Sequence, residues 1–384
     1  MNADELVDAC RAFAPTLGER AEEAEQLRRL PDATVTDASD SGLFGAVVPA
    51  SLGGHGLGLT ELANGTRELA HGCPASAWTL SFLMLHAWLL SKLPPAGATE
   101  LFADGRVPLA PAPLAPTGSM TPVAGGFRLS GRWEWATGIA HADWVLVHAV
   151  QAEPAFATRF LAVPFRQVEV VDVWFTSGMA ATGSNTVSIT DAFVPDRFTV
   201  DARTLMDGAA SAGQVVGDGM AGLPVPPVLA LVAAAPALGA AEAAVAHYRN
   251  RLSERVLAYS LGDKAADQPA AQVRLATAMS DLASARARWD RALAQLDPQA
   301  GVIGEQLRVD SRLAAAATVR SARSIISTVC EGAGASVYFS TEPLQRLQRD
   351  VEVLKGHVIF DWDRTAELAG RVALGFPLRP TDLV

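Results

Sequence analysis

In RLQRDVEVLKGHVIFDWDR, residues 346–364, one imidazole, His357, sits just past an acidic-basic helix end and ahead of an apolar run. A second, His86, interrupts the otherwise apolar SFLMLHAWLL. Imidazole has an ordinary pKa of about 6.5, so such a ring can donate or accept a proton near neutrality. Taken alone, His86 reads as a satisfied core histidine. A third stretch, GRWEWATGIAHADWVLVH (131–148), runs a tryptophan-rich strand into a Thr-Gly turn. Trp135, Thr137 and Gly138 set an aromatic wall beside a small hydroxyl and free backbone amides, which suits a flat heteroaromatic ring. The competing reading is that Trp133, Trp135 and Trp144 are core.

Two further stretches add small residues. WFTSGMAATGSNTVSITDAFVP (174–195), containing Ser184, lets backbone approach a ligand closely before the chain resumes a strand. EGAGASVYFSTEPLQRLQRDVEVLKGH (331–357) joins a glycine-ended helix, with Gly334 and Ser336, to a short helix bearing Arg346, Arg349 and Asp350. The plain reading of those charges is an Arg-Asp pair that orders neighbouring helices.

Other chemistries lack their residues. There is no GxxxxGK[ST] phosphate loop, no HExxH, no metal-ligand spacing among the seven histidines, and no GxSxG elbow. GGHGLG at 53–58 does not fit GxGxxG, so a nicotinamide site is not expected. Asp361 and Asp363 read as solvated charges or helix caps.

Composition bounds the partners. The 384 residues are 49% hydrophobic and 19% charged, enough for a sizeable core. A net charge of −10 argues against a nucleic-acid backbone or an anionic membrane, which both need a basic face. The expectation is no apolar run of about eighteen residues, and the polar start MNADELVDACRAFAP is read as no signal peptide. Cys10, Cys73 and Cys330 lie far apart without CxxC spacing and read as buried, reduced thiols, which fits a reducing cytoplasm.

The elements that must position these groups follow from periodicity. Residues 1–105 read as helices, among them the nearly all-apolar PASAWTLSFLMLHAWLLSKL, with Pro74 at a first turn. Residues 106–202 carry short Val-, Phe- and Trp-rich segments between Gly, Pro and Asn-Asp turns, predicting a compact antiparallel unit. Residues 203–384 begin with a Gly- and Pro-rich connector (203–227) and then read as helices. There Leu275, Met279, Leu282, Trp289, Leu293 and Leu296 form a seam for other helices, in the same chain or another subunit.

In this order, SGLFGAVVPASLGGHGLGLTELA, GGFRLSGRWEWATGIAHADW, GMAATGSNTVSITDAFVP and PLQRLQRD resemble the acyl-CoA dehydrogenase superfamily over nearly the whole chain. The resemblance implies a mainly α fold with a central β domain: an N-terminal helical domain, an antiparallel β-barrel or sandwich, and a C-terminal four-helix bundle. It also implies a flavin ring between the β domain and the C-terminal helices, usually in a homotetramer.

Dehydrogenases of this superfamily need a carboxylate to remove a proton α to a thioester, usually in a YEGT-like stretch after the last Arg-Asp. Here that stretch reads RDVEVLKGHVIF; His357 stands near the expected place, and Glu352 falls too early on a charged helix. With His86 in the apolar helix and Thr137 in place of a serine, the chain is similar instead to the two-component flavin-dependent monooxygenases. The implied activity uses reduced FMN or FAD from a separate reductase and O₂, forms a flavin C4a-hydroperoxide, and oxidises an aromatic or polycyclic small molecule or a heteroatom in it. His357, His86 and Thr137 are the implied catalytic residues. Trp135, Thr137, Gly138, Ser184, Arg255, Arg251, Gly334 and Ser336 are the implied flavin contacts, with Arg255 before Arg251 for the phosphate. Met84, Trp88 and Phe82 near His86 would suit a flat substrate. Ala180 departs from the GMRxTGS pattern by replacing its arginine. The alternatives are an acyl-CoA or acyl-carrier dehydrogenase with an unrecognised base, and a non-catalytic binding or assembly protein.

Overall fold

The computed structural model describes residues 1–208, 219–257, 260, 262–296, 303–379 and 381–384. Six helices come first: α1 Ala3–Glu19, α2 Ala21–Leu27, α3 Asp32–Asp40, α4 Leu59–Leu69, α5 Pro74–Leu90 and α6 Pro95–Leu101. The first starts where Asn2 Oδ1 accepts from Glu5 N–H at 3.0 Å and Glu5 accepts from Asn2 N–H at 2.8 Å, which satisfies two otherwise orphaned donors. Every residue of α5 is buried, as an all-round apolar sequence requires, and Pro74 occupies its first turn. It packs against α4 and also reaches the central and C-terminal parts of the molecule.

Seven strands follow: β1 Gly118–Val123, β2 Gly126–Ala136, β3 Trp144–Gln151, β4 Ala157–Pro164, β5 Glu169–Val171, β6 Asn185–Pro195 and β7 Thr199–Asp201. They form one sheet in the order β5-β6-β2-β1-β3-β4-β7. The unit is antiparallel except at β1–β3, where Gly118 and Ser119 pair in parallel with Ala149 and Val150. That contact ends before Pro122, so the proline lies where β1 has only β2 beside it and no ladder donor is lost. In the long β2–β6 pair the register slips between Trp133 and Ala136. Such an irregularity bends the strand and re-aims its side chains. Trp133 goes into the core and donates its indole N–H to His148 O at 2.8 Å, whereas Trp135 takes φ +63° and is 61% exposed.

The remaining helices are α7 Ala202–Met206, α8 Val225–Glu254, α9 Pro269–Gln295, α10 Glu305–Ala333, α11 Pro343–Leu354 and α12 Trp362–Ala373. The expected connector at 203–227 is partly this short α7 and the start of α8; its residues 209–218 lie outside the described residues. Helix α8 corrects the expectation that no long apolar run exists: it is long and apolar enough to cross a membrane, with 89% of that stretch buried inside the molecule. Its neighbours α4, α5, α9, α10 and α11 supply the apolar surroundings that such a sequence needs. Helix α10 ends at Gly334, as its glycines predict, and Asp361 caps α12 by accepting from Arg364 N–H at 3.1 Å. All three cysteines are free and buried, and burial pushes their thiol pKa values up, Cys10 to about 12.

Candidate active site

Helix α5 presents Trp78, Phe82 and His86 at four-residue steps, so the three lie on one stripe. Trp78 and Phe82 stack with ring centroids 4.4 Å apart, and the His86 ring meets Phe82 edge-on at 5.4 Å. His357, at the start of the 3-10 turn after α11, meets Trp78 edge-on at 5.5 Å and lies 5.9 Å from Phe360. The two imidazoles, 271 positions apart in sequence (357 − 86), therefore border one aromatic pair.

Burial holds both rings in the neutral form: His86 is 3% exposed with its pKa down to about 4, and burial likewise brings His357 to about 4. Their tautomers differ. His86 Nδ1 lies 2.9 Å from the Ala110 carbonyl oxygen, which can only accept, so Nδ1 carries the proton and Nε2 is basic. His357 Nδ1 accepts from Ile359 N–H at 3.3 Å, so its proton sits on Nε2. One ring offers an acceptor at Nε2 and the other a donor, an acid-base pair without a net charge.

The turn after β2 reaches the same helix. Gly138, at φ +74°, packs its α-carbon side against Thr79 and Leu83 of α5 and donates its N–H to Thr182 O at 2.9 Å. Thr137 Oγ1 lies 2.9 Å from Ser184 Oγ, which lies 2.8 Å from Thr182 Oγ1. All three hydroxyls are buried. Thus Thr137, Gly138 and Ser184 come together beside α5, with Trp135 exposed next to them. Met84 and Trp88, read from the sequence as flanking His86, are both core residues with 1% exposure, and Phe82 meets the His86 ring edge-on.

Two carboxylates of α11, Asp350 and Glu352, precede His357. Burial works against ionising Glu352, but hydrogen bonds from Lys355 and Arg323, the latter at 2.5 Å, hold it below the ordinary carboxylate range. Asp350 is fully enclosed, and burial raises its pKa to about 6 against a 2.6 Å hydrogen bond from Met179 N–H. That bond needs α11 and the 178–179 turn in backbone contact: a Cβ on Gly178 would collide with the Arg349 carbonyl. Arg349 and Arg346 pair with Glu25 of α2, not with Asp350, so the expected Arg-Asp pair is replaced by an Arg-Glu link between distant helices.

The other four expected flavin contacts form a second group. Arg251 donates to Ala333 O at 3.0 Å and to Ser336 Oγ, and it lies 3.9 Å from Glu342. Arg255 donates to Ala333 O at 2.9 Å. Gly334, at φ +85°, has no room for a Cβ, which would lie 2.5 Å from the Arg255 guanidinium nitrogens. Arg251, Arg255, Ser336 and Glu342, with His247, Asn250 and Glu254, line a cleft of about 430 Å³. A flavin fits this donor set on two counts: an exposed indole beside buried hydroxyls for the ring, and two guanidinium groups on a cleft for phosphate.

Trp78 and Thr182 are site-building residues that motif reading passes over, although the four-residue spacing of Trp78 and Phe82 ahead of His86 carries a signal for the first. Asp350 is marked by its Arg-Asp motif, but its partner, the Met179 amide, is not, because it lies in another element.

Comparison with known proteins gives the chain its relatives. The description "Acyl-CoA dehydrogenase, N-terminal domain" matches residues 2–94, and "Acyl-CoA dehydrogenase, C-terminal domain" matches residues 231–362. A "Pigment production hydroxylase" of a Rhodococcus species is 32% identical over 97% of this chain and 97% of its own. The "Flavin-dependent monooxygenase, oxygenase subunit HsaA" of Mycobacterium tuberculosis is 29% identical over 98% and 97%. Among solved structures, XiaF from a Streptomyces species in complex with FADH₂ and glycerol superposes with a TM-score of 0.92 at 27% identity, covering 99% and 97% of the two chains. The chain belongs to the acyl-CoA dehydrogenase family, within which it stands with the flavin-dependent monooxygenases.

Proposed function

We propose that this protein is the oxygenase component of a two-component system that hydroxylates a phenolic or polycyclic aromatic molecule with reduced flavin and O₂. The carrying observation is the pair of neutral histidines on the Trp78–Phe82 stack, with protons on opposite ring nitrogens. When bound, reduced flavin supplies the electrons with which one atom of O₂ enters an aromatic ring and the other leaves as water. The chain's residues do the rest. Trp135 would lie against the flavin ring, and Thr137 would hold its N5–H. The Trp78–Phe82 pair, at an edge-on distance from both imidazoles, keeps water from the reacting atoms. His357 Nε2–H would donate to the oxygen being transferred, and His86 Nε2 would accept the phenolic proton. A dehydrogenase would instead need a carboxylate free to take a proton, and Glu352, though ionised, is occupied by Arg323 and Lys355.

The cleft of Arg251, Arg255 and Ser336 would take the flavin phosphate. Arg255 is the better candidate because Arg251 is already committed to Ala333, Ser336 and Glu342. Replacing Arg255 by alanine is expected to weaken flavin binding by about 1.5–3 kcal/mol, the worth of a charge-assisted bond. Fluorescence titration with an unchanged melting temperature checks this; unaltered affinity assigns the phosphate elsewhere.

The assembly is read as a cytoplasmic homotetramer served by a separate reductase, with units 1–105, 106–202 and 203–384. Its support is the α9 seam: Trp289, Leu293 and Leu296 are buried within the chain, while Met279 is 51% exposed beside the half-buried Leu275 and Leu282. That apolar face suits another copy of the bundle. The deciding experiment mixes the protein with FADH₂ or FMNH₂ under air and, separately, with acyl thioesters without oxygen. Phenol-dependent oxygen incorporation is the expected result. Flavin reduction by a thioester would overturn the oxygenase reading.

A further inference from the structure

We infer that Thr182 and Ser184 fix the direction of the Thr137 hydroxyl proton, making Thr137 an obligate hydrogen-bond acceptor that selects reduced over oxidised flavin. The inference rests on the reading that Thr137 faces flavin N5. Proton counting carries it. Asp350 Oδ1 accepts from Met179 N–H at 2.6 Å, which anchors the turn at that residue. The Met179 carbonyl oxygen, which can only accept, receives Trp174 Nε1–H at 3.0 Å and the Thr182 hydroxyl at 2.9 Å. The single Thr182 proton is thereby used. The 2.8 Å contact between Thr182 and Ser184 must then carry the Ser184 proton. With that proton spent, the 2.9 Å contact between Ser184 and Thr137 must carry the Thr137 proton. Each hydroxyl has one proton, and the chain runs one way, from Thr137 to Ser184 to Thr182 to Met179 O.

Thr137 is left with lone pairs only. Reduced flavin has a proton on N5 and can donate to them; oxidised flavin has a lone pair there and meets an acceptor. The turn therefore discriminates redox state by hydroxyl polarity, favouring capture of reduced cofactor and release of the oxidised form. Thr182 and Ser184 are positioning residues, acting through Thr137.

Anaerobic titrations with oxidised FAD and dithionite-reduced FAD test this through the ratio of the two dissociation constants. Ser184→Ala frees the Thr137 proton, and Thr182→Val frees the Ser184 proton. Each should reduce the preference for the reduced form by on the order of tenfold, the scale of one mismatched buried hydrogen bond. Thr182→Ser keeps the relay and should keep the ratio, a rescue that a purely structural role would not predict. Ser184→Ala removes one oxygen and decides the question if Thr182→Val does not fold. An unchanged ratio in Ser184→Ala, where Thr137→Val weakens reduced-FAD binding, overturns the relay alone. Unchanged binding of both forms in Thr137→Val removes the flavin from Thr137 and overturns the underlying reading.

Discussion

His357→Ala protein will fold, bind reduced flavin and consume O₂, yet send most reducing equivalents to H₂O₂ in place of hydroxylated product. Its imidazole has a short list of structural duties: it accepts one 3.3 Å backbone bond and borders Trp78 and Phe360. Its chemical duty is the Nε2 proton, fixed there because Nδ1 is occupied as an acceptor. Removing a positioned proton donor typically lowers a rate by about 10²–10⁴-fold. We expect product formation to fall by at least about 10²-fold while flavin affinity changes little. His357→Gln restores an amide N–H near the position of Nε2 and should recover part of the coupling. Measuring product and H₂O₂ against NADH consumed, with the reductase present, checks both variants. Unchanged coupling in His357→Ala would remove the ring from the mechanism.

How far the sequence reveals such a site depends on whether its signals are local. Helix α5 is readable because seventeen buried residues leave a periodic, apolar record with Pro74 at its start. The strands β2, β3, β4 and β6 are readable from their β-branched and aromatic residues. The strands β1, β5 and β7 are not: two have three residues each, and β1 carries a glycine and a proline. The α9 seam divides differently from its uniform pattern, because Trp289, Leu293 and Leu296 meet the rest of the bundle while Met279 faces outward. Periodicity records apolar character, not which molecule covers it.

The site itself depends on long-range geometry. Thr182 and Ser184 join Thr137 because Met179 and Gly183 both adopt left-handed backbone, at φ +54° and +51°, folding the turn back on itself. The Arg-Asp motif suggests an ion pair, yet the arginines reach across to Glu25, leaving Asp350 to hold a backbone amide. A motif names the residues of a charge cluster but not their partners, and here Glu25 lies 321 and 324 residues from the two arginines and Met179 lies 171 from Asp350.

The second large effect is expected at His86, where an ordinary-looking core histidine has the lowered pKa of a group kept neutral. Phenol oxygen becomes strongly acidic as its ring is attacked, so a base with a pKa near 4 suffices if it is placed and unprotonated. His86→Asn keeps an N–H for Ala110 O but loses the basic Nε2, and product formation should fall by about 10²-fold. Wild-type coupling should stay level as pH falls below 6.5, since the folded ring does not protonate until about 4. Stability should move the other way. Between pH 6.5 and 4 the unfolded ring binds a proton that the folded ring does not, so this contribution is full above 6.5 and is lost as pH falls. Asp350, raised to about 6, acts oppositely, because its folded form takes up a proton first. The difference between wild type and His86→Asn cancels that contribution. In urea unfolding, the wild-type advantage should shrink by about 2 kcal/mol from pH 7 to pH 5. A constant difference would mean that His86 titrates alike in the folded and unfolded chain, and its role as a neutral base would then be untenable.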